Sequence, residues 1–283
     1  MDKVILINKE KGSTSRDVVN SLTKILNERK IGHFGTLDPI AEGLLVVGVG
    51  VLTKIGNFLE NEDKEYIAEV LIGTSTTTYD ITGDITEKSN KQVSKEKLIE
   101  TLNTFIGTYN QEVPIYSAVK VKGKKLYEYA RNNEIVTLPK KEVEIKNIEL
   151  LNYYEKNNQT YFTFKCLVSK GTYIRSLIND ISKKLDIPMC MNNLKRTKCG
   201  NFKLEDSFTL ESIKKGKYKS LNIEDILNLD IMELPKNIEK LVLNGSMIDK
   251  IGNKMILFKK NNQNIALYGM YKDRMKPLLI FKK

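Results

Sequence analysis

Strand-like and helix-like segments alternate along this chain, but without the even strand–helix–strand rhythm of a doubly wound parallel sheet. Residues 4–7 (VILI) form a short apolar run that reads as a buried strand. Residues 15–29 carry Val18, Val19, Leu22, Ile25 and Leu26 at helical spacing, behind a capping-box pair, Thr14 and Asp17. Residues 44–51 contain glycines at 48 and 50 and read as a buried strand. Residues 66–72 are β-prone and enter the turn-rich GTSTTTYDITGD of 73–84. Residues 94–105 have a helical pattern with Leu98, Ile99, Leu102 and Phe105 on one face. Residues 142–151 and 161–168 read as two strands around a polar NNQ turn. A further helix, following SKGTYIR at 169–175, carries Leu177, Ile178, Ile181 and Leu185. This order predicts an α+β fold, with a mixed, mostly antiparallel sheet flanked by helices.

With 283 residues the chain has room for roughly two domains at ~150 residues each. The natural boundary lies near 231, giving a larger unit over 1–230 and a small one over 231–283. In the second, short β-like segments at 240–243, 254–259, 265–271 and 277–281 are separated by Asn/Gly/Lys turns. Residues 232–283 hold 11 basic and 4 acidic side chains, so most of the chain's net charge of +11 is concentrated there. Such an excess suits a polyanion, most often nucleic acid; lysines that simply face water would give the same number.

The three cysteines, Cys166, Cys190 and Cys199, form no CxxC pair, and with one histidine in the chain they argue against a Cys/His zinc site. They read as buried thiols in a reducing compartment. The first apolar run is too short for a signal peptide, and the longest, 44–52, falls well below the ~20 residues of a membrane span. A cytoplasmic protein is expected.

Residues 32–45, GHFGTLDPIAEGLL, carry the densest chemical signal. The only histidine, His33, stands five residues before Asp38, with a glycine-containing turn between them. Asp38 precedes Pro39 and an apolar segment, so the sequence places it where a loop becomes a helix. There it is either a nucleophile aimed by its backbone or ordinary helix punctuation, with Asp at the N-cap and Pro at the first helical position. Residues 116–131, YSAVKVKGKKLYEYAR, set Lys120, Lys122, Lys124 and Lys125 among Tyr116, Tyr127 and Tyr129. That mixture suits phosphates and exposed bases, or equally a surface hairpin and helix with solvated lysines.

GHFGTLDPIAEGLL, KEYIAEVLIG, YSAVKVKGKKLYEYAR, SKGTYIR and LKRTKCGNF, in this order between about residues 3 and 210, resemble the TruB family of tRNA pseudouridine synthases. The tail resembles a short PUA-type RNA-binding domain. The resemblance implies the pseudouridine synthase fold and an RNA-clasping insertion at about 114–141. It implies isomerisation of the T-loop uridine at tRNA position 55, with base flipping: the N1–C1′ bond breaks, the uracil turns, and C5 bonds to C1′. No redox change or net hydrolysis occurs, so no cofactor and no metal are called for. The implied partner is the tRNA T arm, with no membrane and no guide RNA, and a monomer is expected.

By the same resemblance Asp38 is the catalytic aspartate, acting at C1′ or in deprotonating the ribose to a glycal. Arg175 pairs with it, and a guanidinium there favours the charged carboxylate. Tyr66 stacks on the target uracil and is a candidate base for the C5 proton; a free phenol, with its pKa near ~10, would need a perturbed site to do so. Tyr173 is a pocket wall, Leu194 an apolar cover for the base. His33 enters the T loop where the target region swings out. The chain departs from the family pattern at Glu10, Thr77, Val113 and Val168, where proline, aspartate, proline and cysteine are frequent. These positions bear on loop rigidity and packing more than on chemistry.

Overall fold

The computed structural model describes residues 2–59 and 62–281. Its larger unit is built on a nine-stranded sheet. From one edge the strands run Lys3–Lys9, Ala41–Val49, Met189–Cys199, Lys64–Ile72, Gln159–Val168, Lys140–Lys156 and Gly107–Glu112. Two short strands, Ile31–Phe34 and Phe202–Lys203, pair onto Ala41–Val49 and Met189–Cys199. Every pairing in this sheet is antiparallel except Ala41–Val49 with Met189–Cys199. The sheet is therefore mixed and mostly antiparallel, as the segment order predicts.

The continuous apolar runs near the N-terminus are explained by burial on both faces. Ile5, Ile7, Leu45 and Val47 join the core beneath the helices, while Val4, Leu6, Leu44 and Val46 point the other way. That second face packs against Leu257, Leu267 and Leu279 of a separate five-stranded sheet. The helices Ser15–Leu26, Lys95–Asn103 and Ile174–Leu185 supply Val18, Leu22, Leu98, Leu102, Leu177 and Ile181 to the first core. Thr14 and Asp17 close a reciprocal capping box, and Asn27 ends that helix in the left-handed region. On Lys95–Asn103, Leu98, Thr101 and Leu102 face inward while Ile99 turns out at 39% exposure, so the inward stripe is narrower than the sequence pattern. The Asn157–Asn158 turn takes positive φ at both residues, which joins Lys140–Lys156 to Gln159–Val168 tightly.

In the five-stranded sheet the order is Leu229–Glu233, Met255–Lys260, Gln263–Tyr271, Arg274–Ile280, Ile248–Asp249. The β-like reading of 240–243 is corrected: Glu239–Leu243 is a short helix. Its composition, KLVL, satisfies either period, and a single turn is too short for periodicity to decide.

Candidate active site

Asp38 does not begin a helix. It lies in the loop between the strands Ile31–Phe34 and Ala41–Val49, and Pro39 and Ile40 form the turn after it, closed by the Ala41 amide donating to the Asp38 carbonyl at 3.0 Å. Proline here serves the second position of a β-turn rather than the first turn of a helix. The helix-punctuation reading of Asp38 therefore fails.

The backbone on both sides of Asp38 is fixed by other segments. The buried Ser15 hydroxyl accepts from the Leu37 amide at 2.9 Å and lies 3.2 Å from the Leu37 carbonyl, to which it donates. On the other side the Gly12 amide donates to the Pro39 carbonyl at 2.8 Å. The turn carrying Gly12 is braced by Lys9, whose buried ammonium donates to the carbonyls of Ser13 and Glu10. Burial lowers the Lys9 pKa, with Asp38 among the carboxylates that oppose the shift. Ser15→Ala should cost about 1–2 kcal/mol through the orphaned Leu37 amide. An unaltered melting temperature would show that the loop is held otherwise.

Arg175 grips the carboxylate with a two-pronged contact, Nε to Oδ2 at 2.9 Å and Nη2 to Oδ1 at 3.2 Å. It stands in the first turn of the helix Ile174–Leu185, where the macrodipole disfavours a cation, and its side chain is only 7% exposed. Further partners compensate: Nη1 donates to the Thr78 carbonyl and Nη2 to the Tyr116 carbonyl, each at 3.1 Å. A second carboxylate, Asp80, approaches Nε to 3.9 Å. Asp80 is itself buried and accepts from the Thr82 amide and from the hydroxyls of Thr78 and Thr82. The sequence reading missed Asp80. The turn-rich composition of 73–84 shows that the segment bends, but not which of its acids turns inward.

Tyr66 and Leu194 lie on neighbouring strands. Leu194 pairs in register with Ala68 on one side and Ala41 on the other; Arg196 pairs with Tyr66 and Gly43. The approach is so close that a Cβ on Gly43, whose φ is +101°, would lie 2.4 Å from the Arg196 carbonyl oxygen. Only glycine permits the parallel strand to lie there. Arg196 is 1% exposed and donates to the carbonyls of Leu44 at 2.7 Å and Gly35 at 3.0 Å, fastening the central strand to the loop that leads to Asp38. It too escaped the sequence reading, since LKRTKCGNF gives no sign that this arginine points inward. Burial raises the Tyr66 pKa despite the opposing Arg196 beside it, so the phenol keeps its proton at neutral pH.

Asp38, Tyr66, Tyr173, Arg175 and Leu194 all line one open cavity of about 670 Å³. Its far wall is Tyr116, Ser117 and Tyr127 from the segment following Val113, and Lys64, Lys141 and Lys170 also reach it. That segment is closed at its root by the pairing of Glu112 with Lys140 and by the Val113 amide donating to Pro139. Within it Lys124 sits over the Tyr129 ring and pairs with Glu134, and Lys125 sits over Tyr127, while Lys120 and Lys122 are exposed. His33 is the one proposed site residue outside the cavity lining. It is half-buried on Ile31–Phe34, opposite Val47.

A cavity that offers one paired carboxylate, a protonated phenol, an apolar lid and a basic rim suits a flat polar ring on an anionic backbone. The comparisons with known proteins agree with that chemistry. The sequence model described as TruB family pseudouridylate synthase (N terminal domain) matches residues 23–174. The tRNA pseudouridine synthase B of Mycoplasma mobile is 41% identical over 277 residues, spanning 97% of this chain and 89% of that protein. Its counterpart in Caldanaerobacter subterraneus is 43% identical over 249 residues, 88% of this chain and 86% of that one. In Staphylococcus aureus the figures are 38% over 305 residues and 98% of both. Among solved structures, a chain of a Cbf5–Nop10–Gar1 complex superposes with a TM-score of 0.68 at 23% identity, covering 99% of this chain and 84% of that chain. A chain of an H/ACA RNP bound to a substrate RNA containing 2′-deoxyuridine gives 0.65 at 22%, with the same coverage. Those two likenesses are of fold. From the family match and the length and identity of the curated relatives, the chain belongs to the TruB family of pseudouridylate synthases.

Proposed function

We infer that this protein is a tRNA pseudouridine synthase that isomerises the T-loop uridine at position 55. The observation that carries this reading is Asp38, fixed by Ser15 and Gly12 through its flanking residues and gripped by Arg175, in the same cavity as Tyr66. The uridine leaves the stack and enters the cavity, its ring lying on Tyr66 under Leu194. Asp38 acts at the ribose, the N1–C1′ bond breaks, and the uracil turns so that C5 bonds to C1′. A proton leaves C5 and N1 ends protonated, so atoms and electrons balance without an added reagent. The raised Tyr66 pKa favours stacking over service as the resting base for the C5 proton. Tyr173 completes the wall, and His33, beside the cavity rather than in it, is placed to meet the RNA that surrounds the flipped nucleotide.

The segment over about 114–141 clasps the T arm, and residues 231–283, a small PUA-like domain, add phosphate contacts. The protein works as a monomer in the cytoplasm without guide RNA. Relatives named tRNA pseudouridine synthase B are 38–43% identical over most of this chain, which favours a tRNA substrate. The test is to incubate the purified protein with an unmodified tRNA transcript and nothing else. Pseudouridine at position 55 is expected; its absence would count against the reading.

Reversing Lys120 and Lys122 to glutamate should weaken tRNA binding and flatten its salt slope by about one unit for each phosphate no longer neutralised. These two are chosen because Lys124 and Lys125 are engaged by Glu134 and the tyrosine rings. An unchanged slope in filter binding across a salt series would remove the segment from the RNA interface.

A further inference from the structure

Gln111 is a fully buried amide, 1% exposed, on the edge strand Gly107–Glu112 beneath the helix that carries Arg175. A buried amide is costly unless both of its ends are bonded. Here both are. Oε1 accepts from the Tyr173 amide at 2.7 Å, and Nε2 donates to the Tyr109 hydroxyl at 2.7 Å. The Tyr109 hydroxyl in turn lies 3.3 Å from Asp180 Oδ2, on the same helix as Arg175.

The direction of this chain is fixed by chemistry. A backbone N–H can only donate, so the end of Gln111 facing Tyr173 must be the oxygen. The other end is then the NH2 group, which occupies Tyr109 as acceptor and leaves its proton for Asp180. Burial, with Asp180 adding to it, raises the Tyr109 pKa, so the proton needed for that last link stays in place.

Tyr173 is the N-cap residue of Ile174–Leu185 and lacks a side-chain cap bond. Its amide is held by Gln111, and its carbonyl accepts from Leu177 to start the helix. The peptide thus tied down carries one cavity wall and leads, two residues on, to Arg175.

We propose that Gln111 is a positioning residue for the uridine site, setting the pose of Tyr173 and, through the first helical turn, of the Arg175 fork on Asp38. This rests on the pseudouridine synthase reading above. The required group is an acceptor at this depth. Glutamate keeps the acceptor and loses the donor; methionine keeps the shape and loses both.

The test compares full-length wild type, Gln111→Met and Gln111→Glu on a tRNA transcript, measuring kcat, KM and Tm. Q111M should lower kcat about tenfold or more with KM within about threefold, the signature of a displaced reacting geometry. Q111E should recover most of that loss although it is the less stable variant, because it buries a charge beside Asp180. Merely structural packing would give the reverse order, with Q111E the worse in both kcat and Tm. A Q111M kcat within twofold of wild type, or a kcat order that follows Tm, overturns the proposal. If Q111E does not fold, Q111M alone decides: reduced kcat at constant KM supports the role, while full kcat or an effect confined to KM refutes it. A wild type that makes no pseudouridine sinks the enzymatic reading and this one with it; an active wild type beside an equally active Q111M sinks only this one.

Discussion

Asp38→Ala is expected to leave no measurable pseudouridine in single-turnover assays while tRNA binding stays within about tenfold, ~1.4 kcal/mol. The two halves of that expectation come from different features. Among the described residues the carboxylate is the one acidic group in the cavity lining, so no neighbour there can replace it at the ribose. Affinity for tRNA is expected to draw on phosphate contacts spread over the basic surface, a sum to which one acid contributes little. The loop should survive the change, because Ser15 and Gly12 hold the backbone of Leu37 and Pro39 without help from the aspartate side chain. Gel-based detection of pseudouridine, alongside filter binding, separates the two effects. Product at a rate near that of wild type would transfer the chemistry to another group.

Arg175→Ala is the second large effect, and it should appear in stability as well as rate. The guanidinium is the hub for Asp38, Asp80 and two backbone carbonyls, and its side chain is almost wholly buried. Removing one member of such a network strands the others, at about 3–5 kcal/mol for a buried pair. Asp38 is partly open to water and will rehydrate; Asp80, 7% exposed at its side chain, will not, so most of the cost should fall there. Calorimetry should therefore show Tm lower by roughly 10 °C. Arg175→Lys should restore part of the stability but little of the activity, since an ammonium cannot reproduce the two-pronged grip. A Tm unchanged in Arg175→Ala would mean that the network is not under load.

Much of this architecture was legible because burial imposes periodicity. The helices over Ser15–Leu26 and Ile174–Leu185 announce themselves by apolar spacing and, in the first, by a capping box. The strands at Lys3–Lys9 and Ala41–Val49 show as unbroken apolar runs because both their faces are covered. What failed was local. Pro39 after an acid fits a helix start and a β-turn equally well, and only tertiary pairing decides between them. The single turn Glu239–Leu243 is too short to display a period. At the site, Asp38, Tyr66, Tyr173, Arg175 and Leu194 were reachable from motif resemblance, and the structure brings these five together. Asp80, Arg196, Ser15 and Gln111 were not, because a polar residue bears no sequence mark of pointing inward. They are visible only as buried side chains with their partners in place.

The strand Met189–Cys199 is the seam of the main sheet: Leu194 meets Ala41 on one side and Ala68 on the other. On the ribosome it emerges last of the seven strands in the main path. Until it does, the segments bearing Asp38 and Tyr66 have no strand to join them. Assembly of the reaction centre thus waits for a distant piece of chain, a high-contact-order step that is slow by nature. Synthesis must run almost through the larger unit before the walls of the cavity can be brought together.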